Sequence, residues 1–168
     1  GGAFGILMKT GAIHNGILAL IARTRDLQFL FIPILFLLFS LGGAVFGMGE
    51  EAIAFCIILL PLMLALGYDA ITTVLVTYVA TQIGFATSWM NPFNVAIAQG
   101  IAEIPLFSGQ ELRMGMWAVF TLFGLVFTMR YAARIKANPT LSLSYESDLR
   151  QRDQQSSQVV TQYQTLDS

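Results

Sequence analysis

Four polar side chains that could hold a small charged solute surround a single proline in the sequence. Thr87, Ser88, Asn91 and Asn94 flank Pro92. Asn followed by Pro is a typical helix start, because the Asn side chain caps free N–H groups and proline has none to lose. Such groups can bind a carboxylate or Na⁺ without a buried protein charge. The alternative is a proline-kinked helix whose hydroxyl groups satisfy the freed carbonyls, but the density of polar side chains favours binding.

A second candidate site is a glycine-rich stretch that begins at Ser40, whose hydroxyl group could bind a polar solute. Gly42 and Gly43 would let an ion or a substrate approach the backbone closely. Glu50 and Glu51 could bind a coupling cation or a proton, or face a cationic substrate. Alternatively, the two glutamates complement the dipole of the helix that follows them. The residue types leave both interpretations of the glutamates open.

The sequence contains no arrangement typical of an enzyme or of an ATP-driven pump. It has no serine–histidine–aspartate set, no metal-ligand spacing and no phosphate-binding loop, so we expect neither catalysis nor a resident cofactor or metal. The net charge of −1 argues against a nucleic-acid partner. His14 is more typical of a packed, hydrogen-bonded residue than of a proton relay, and Lys9 of a side chain that reaches the membrane surface.

The composition is that of a membrane protein. Hydrophobic residues make up 55% of the 168 positions and charged residues only 11%, against about 25% charged residues in a soluble domain. No lysine or arginine occurs between Asp26 and Arg113, where a soluble fold would need a charged surface. We therefore expect an all-α, polytopic membrane protein whose helices lie in a lipid bilayer.

Two short apolar runs enclose the glycine-rich stretch. Residues 27–39 and 52–66 each supply about 13 to 15 residues, whereas a helix that spans a membrane needs about 20. The lengths favour a re-entrant hairpin with its tip at residues 40–51. The alternative is a pair of full spans that pack through Gly43 and Gly47.

The helix after the hairpin is predicted to be broken. Gly67 is suited to end the second arm, and Asp69 to cap the following helix over residues 70–89. Threonine is too frequent in this helix for a purely lipid-facing surface. The helix stops before Asn91, and a short helix is predicted over residues 92–103. Unwound backbone inside a membrane is tolerated only where protein or a watery cavity surrounds it, so the break is a candidate binding element.

The rest of the chain is predicted to contain one full span and a polar tail. Residues 105–110 form a turn and residues 112–131 a spanning helix, and a further, partly polar helix is expected at residues 2–22. We expect residues 1–136 to be the transmembrane transport region. Residues 137–168 are rich in Ser, Gln, Asp and Arg, which predicts a largely disordered cytoplasmic linker or tail.

Positive charges gather at both ends of the apolar region. Arg23 and Arg25 precede it, and Arg130, Arg134 and Lys136 follow its last helix, so both clusters are expected on the cytoplasmic side. The crossings predicted between them return the chain to its starting side, whether the first unit is a hairpin or two spans. The sequence starts without methionine, and we expect it to be a piece of a longer protein.

Several strings of the sequence are characteristic of one transporter family. They are residues 1–5 with 8–12, residues 39–43 with 46–51, and residues 91–99, 104–109 and 131–132. These strings resemble the YfcC branch of the C4-dicarboxylate anaerobic carrier (DcuC-like) family, over residues 1–144. The resemblance implies a bacterial inner-membrane carrier of the ion transporter superfamily, built from two inverted repeats, of which this chain supplies the first.

The resemblance also implies a binding mode. In that superfamily each repeat contributes a re-entrant hairpin and a broken helix, whose tips hold the substrate and the coupling ion. Carried over by position, the tips are residues 40–51 and 87–94, with Na⁺ or H⁺ as the coupling ion. The implied partners are the lipid bilayer, a small-molecule substrate and the second half of the same transporter, with a homodimer as an open alternative.

Two substrate classes fit the resemblance. The family label indicates C4-dicarboxylates, whereas this branch is also named for basic amino acid antiport. Acidic residues without a basic partner in the membrane region slightly favour cationic amino acids. From a different functional class, the alternative is a non-transporting membrane scaffold subunit.

Overall fold

A computed structural model describes residues 28–153, and every regular element in this range is a helix. The predicted all-α fold is therefore confirmed for the described part of the chain. The helix expected at residues 2–22 and the basic cluster that follows it lie outside the described residues, as do residues 154–168.

Helix α1 spans Gln28–Leu41 and continues as a π-helical turn over Gly42–Phe46. It ends where Gly47 adopts a φ of +73°, a left-handed conformation that favours glycine. Helix α2, Glu51–Ala65, begins four residues later. Two helices joined near Glu50 are expected both for a re-entrant hairpin and for two full spans, and α1 runs further toward the tip than its apolar run suggested.

The two arms run antiparallel, as in a helical hairpin. Ile32, near the start of α1, shares a buried cluster with Leu62 and Met63, near the end of α2. Further along, the rings of Phe39 and Phe55 meet edge to face with their centroids 5.6 Å apart. Because successive contacts lie further along α1 and earlier along α2, the two arms run in opposite directions, and both pack against the helix that follows them.

Helix α3 spans Ala70–Ala86 and contains a π-helical turn at Leu75–Val79. Asp69 caps it as predicted, because its Oδ1 accepts a hydrogen bond of 2.8 Å from the backbone N–H of Thr72. Gly67 has a φ of +86° just after α2, as expected of a residue that ends a helix. The helix packs against α1, α2 and α5, and its buried threonines are Thr72, Thr73, Thr77 and Thr81.

Two glycines bring α1 and α3 into direct backbone contact just before their breaks. A Cβ atom added to Gly43 would collide with the carbonyl oxygen of Thr81. One added to Gly84 would collide with the carbonyl oxygen of Ser40. Because both neighbours are main chain, the two helices are in contact at the closest separation that glycine permits.

Helix α4 follows the break as a π-helical turn, Pro92–Ala96, and an α-helical turn, Ile97–Ile101. Helix α5 then spans Gln110–Ala137, which contains the predicted span and extends beyond it at both ends. Among the described helices, α5 alone is long and apolar enough to cross a membrane by itself. Most of its surface is exposed in the described chain, which fits a helix that faces lipid or further protein.

The polar segment after α5 is folded as far as the described residues reach, which differs from the expected disordered tail. A 3₁₀ turn covers Pro139–Leu141, and residues 145–153 form helix α6. Asp148, on α6, accepts a hydrogen bond of 3.2 Å from the backbone at the start of α3. The composition predicted disorder because the segment lacks an apolar face, but polar contacts with a distant turn order it instead.

The carboxylate of Asp69 is the centre of that contact and is only 3% exposed. Its Oδ1 accepts from the backbone and the hydroxyl of Thr72, and its Oδ2 accepts from the hydroxyls of Tyr131 at 2.8 Å and Ser142 at 2.6 Å. Burial raises the pKa of Asp69, but the hydrogen bonds from Ser142, Thr72 and Tyr131 outweigh burial and hold the pKa below its usual value. One carboxylate thus joins the α2–α3 turn, α5 and the tail.

Candidate functional site

The tip of the hairpin and the break after α3 meet in the structure. Gly47 ends the first arm, and a Cβ atom added to it would collide with the side-chain amide of Asn91. The two candidate sites found in the sequence are therefore in contact through these two residues. Their contact is the point around which the remaining candidate residues can be placed.

Asn91 caps α4 as predicted and is fully buried. Its Oδ1 accepts a hydrogen bond of 2.8 Å from the backbone N–H of Phe93, and Pro92 occupies the first helical position. Its Nδ2, by contrast, has no hydrogen-bond partner among the described residues. Because an unpaired buried donor is costly, this amide is suited to bind an acceptor oxygen of another molecule.

The other polar side chains of the break are engaged within the protein. Thr87 donates to the carbonyl of Ile83 at 2.7 Å, and Asn94 Nδ2 donates to the carbonyl of Phe85 at 3.3 Å. The Ser88 hydroxyl donates to Oδ1 of Asn94 at 3.2 Å. Two of these bonds go to main-chain carbonyls, as in the alternative interpretation, but the carbonyls of Ile83 and Phe85 also accept backbone N–H groups at 3.1 and 3.4 Å. Asn91 alone in this group keeps an unpaired donor.

In the hairpin, Ser40 and the two glycines have packing roles. The Ser40 hydroxyl is buried and pairs with the Thr121 hydroxyl at 2.8 Å. Gly42 and Gly43 are both buried in the π-helical turn. A Cβ atom on Gly42 would approach the sulfur of Met48 to 2.7 Å. Gly43 packs against α3, and Gly47 is the residue of the tip that contacts Asn91.

The two glutamates lie exposed at the start of α2. The Glu51 carboxylate accepts a hydrogen bond of 3.0 Å from the backbone N–H of Gly49, and Glu50 occupies the position just before the helix. This is the geometry of an acidic helix start, in which negative charge complements the N-terminal dipole. Their exposure also leaves both carboxylates accessible to a solute.

Sequence reasoning missed the contribution of α5 to this region. Arg113 donates from Nη1 to the carbonyl of Ser88 at 3.4 Å, which places a positive charge beside the break. Trp117 and Thr121 follow it at intervals of four residues, so all three lie on one face of the helix. The regular spacing of these polar and aromatic residues in an apolar helix was the available signal.

The described residues offer hydrogen-bonding groups and a nearby positive charge at this site. No three His, Cys, Asp or Glu side chains between residues 28 and 153 lie close enough to hold a metal ion. The groups present are an unpaired amide, main-chain groups at two helix ends, and the nearby Arg113 guanidinium. Such a site can hydrogen-bond a carboxylate, and its carbonyl oxygens are suited to Na⁺.

The described part of the chain is thus an all-helical bundle of largely apolar elements in which two helix breaks are in contact. The sequence model of the DcuC family, described as C4-dicarboxylate anaerobic carrier, matches residues 1–166. The chain belongs to this family, and the resemblance noted in its sequence is confirmed.

Two relatives are similar to nearly the whole chain. A protein of Escherichia coli (strain K12) named "Putative basic amino acid antiporter YfcC" is 67% identical over 155 residues, which are 92% of this chain and 31% of the relative. An "Uncharacterized protein" of Haemophilus influenzae is 37% identical over 154 residues, 90% of this chain and 30% of the relative. The chain thus spans less than a third of the length of these curated relatives. No solved structure matches it.

Proposed function

We propose that this chain is part of a secondary active transporter that moves small organic anions, namely C4-dicarboxylates, or amino acids across the bacterial inner membrane. Transport is coupled to an ion gradient or to exchange, and no catalytic chemistry is involved. The observation that carries the proposal is the buried amide of Asn91, with its unpaired Nδ2, in contact with Gly47. The family and the printed name of the E. coli relative support it.

A carboxylate is common to both substrate classes, and the site is suited to bind one. Asn91 Nδ2 donates to a carboxylate oxygen, and the start of α4 adds the positive end of its dipole. The remaining candidate residues line or support the two tips: Ser40, Gly42, Gly43, Thr87, Ser88, Pro92 and Asn94. Carbonyl oxygens of the breaks provide ligands for Na⁺ as coupling ion, with H⁺ as the alternative.

The proposed architecture is one half of an inverted-repeat carrier. Helix α2 has 15 residues, or about 22 Å at 1.5 Å per residue, which is shorter than the roughly 30 Å hydrocarbon layer. This length supports a re-entrant hairpin. Because the relatives are about three times as long as the matched region, they have room for a second repeat, which would complete the site. A homodimer of the whole transporter is compatible with this arrangement.

Uptake by proteoliposomes tests the proposal. The full-length protein that contains this chain is reconstituted, and radiolabelled succinate and L-arginine are offered with and without Na⁺ and proton gradients. Flux of either compound that exceeds that of empty liposomes is expected. Absence of flux with both compounds under all gradients, from protein that is folded and inserted, would overturn the transport proposal in favour of a membrane scaffold.

Basic amino acid antiport is the second candidate, and the exposed glutamates favour it. Glu50 and Glu51 place two carboxylates at the hairpin tip, where a cationic side chain could bind. The Glu50→Gln variant is expected to slow arginine exchange several-fold and to leave succinate uptake unchanged. Equal loss with both substrates, or no loss with arginine, contradicts a role of Glu50 in cation selection. Gln110→Glu, at the start of α5, is a control that alters charge at another helix start.

A further inference from the structure

We propose that Trp117 is a positioning residue that holds the hairpin and the broken helix in the arrangement required for substrate binding. The inference rests on the proposed transport function. Trp117 lies on α5, outside both candidate binding elements, and contacts each of them. It therefore acts through other residues rather than by touching the substrate.

The contact with the hairpin is a hydrogen bond. Trp117 Nε1 donates to the hydroxyl oxygen of Ser40 at 2.9 Å. The same hydroxyl pairs with Thr121, one turn further along α5, at 2.8 Å. Both Ser40 and Thr121 are buried, so the bond between them has little competition from solvent. The end of the first arm is thus fixed to one face of α5.

The contact with the broken helix is aromatic. The Trp117 ring meets the Trp89 ring edge to face, with centroids 5.0 Å apart and an interplanar angle of 71°. Trp89 is 8% exposed and lies two residues before Asn91 in the chain. Edge-to-face pairs have a preferred geometry, so the pair constrains the loop that leads to the cap.

The two contacts together link the first arm to the loop before Asn91. Ser40 is held seven residues before Gly47, and Trp89 two residues before Asn91, by the same indole ring. Arg113, on the same face of α5, adds a bond to the carbonyl of Ser88. If the indole is lost, the glycine contacts still hold α1 against α3, but the end of the first arm and the loop before Asn91 lose the ring that joins them. A misplacement of about 1 Å at the tips is sufficient to weaken binding.

Transport kinetics of the full-length protein test this inference, with the transported compound from the succinate and arginine assay as the probe. Trp117→Leu removes both contacts and is expected to raise the KM at least tenfold, with a smaller change in maximal rate per inserted protein. Trp117→Phe keeps a ring against Trp89 but cannot donate to Ser40, and we expect about a threefold rise. Phe123→Leu, an exposed ring on the same helix, is the matched control and should leave the KM unchanged.

A double-mutant cycle separates positioning from general damage. Ser40→Ala and Trp117→Phe break the same hydrogen bond, so the double variant should have a KM within about twofold of the worse single variant. Independent effects, in which the fold-changes in KM of the two single variants multiply in the double variant, overturn the inference. So does an unchanged KM in Trp117→Phe, a conservative change that retains the ring and is expected to fold. These outcomes differ from failure of the proposed function, in which the unmodified protein itself carries no flux.

Discussion

Two buried helix starts in this molecule are each capped by a side-chain oxygen, but the two capping side chains differ in their other hydrogen bonds. Asp69 caps α3 and Asn91 caps α4, each through a side-chain oxygen 2.8 Å from a backbone N–H. The remaining oxygen of Asp69 accepts from two hydroxyl groups, whereas the remaining nitrogen of Asn91 has no partner among the described residues. A fully bonded cap holds a fold together, and an incompletely bonded one leaves capacity for a ligand.

The largest effects on stability and uptake are expected when each cap is removed in a separate variant. Asp69→Ala deletes four hydrogen bonds to a buried carboxylate and should lower the free energy of unfolding by about 3 kcal/mol. Asn91→Ala deletes one cap bond, which should lower it by about 1 kcal/mol, yet it should reduce uptake by about tenfold or more. Thermal unfolding of the purified full-length protein and proteoliposome uptake measure the two properties. A greater loss of stability in Asn91→Ala would contradict the comparison.

The next prediction compares two glycine variants. It separates the strain of a left-handed backbone from a collision with a neighbouring side chain at the site. Gly47 and Gly67 both have left-handed backbones, with φ of +73° and +86°, but only Gly47 has a neighbour that a Cβ atom would meet. Gly47→Ala and Gly67→Ala should each lower the free energy of unfolding by about 1 to 2 kcal/mol. Only Gly47→Ala should also displace Asn91 and reduce uptake, by about fivefold or more. Equal uptake by the two variants would exclude a role for the Gly47–Asn91 contact.

The smallest expected effect is a pH dependence that the charged cap has and the neutral cap lacks. Because hydrogen bonds lower the pKa of Asp69, its contribution to stability is complete above its ordinary pKa of 3.8 and is lost as pH falls through the lower folded value. The difference in Tm between the unmodified protein and Asp69→Asn should therefore be constant from pH 7 to about 4.5 and shrink below about pH 4. The difference in Tm between the unmodified protein and Asn91→Ala should not change with pH over this range.

The local features of both caps could be predicted from the sequence. Helix caps and helix ends depend on backbone groups within a few residues of the capping residue. Residue type and spacing are therefore sufficient to place Asp69, Asn91, Pro92 and Gly67. The helix boundaries near them were predicted for the same reason. The long apolar helix was predicted from composition, because Gln110–Ala137 contains the expected span.

Contacts between distant residues could not be predicted in this way. Ser40 bonds to Trp117, 77 residues further along the chain, so its hydroxyl could not be recognised as engaged within the protein. Ser142 bonds to Asp69 across 73 residues, and this contact orders a segment whose composition indicated disorder. The sequence shows which side chains are polar, but only the packed structure shows which of them already have partners.

The glycine contact between α1 and α3 also limits how this part of the molecule can evolve. Larger residues at Gly43 or Gly84 would meet a carbonyl oxygen of the opposite helix, and carbonyl oxygens are present whatever amino acid occupies that position. A second mutation can therefore make room for the first only by moving the two helices apart. Both positions should be invariant across homologues, even where neighbouring apolar residues exchange freely.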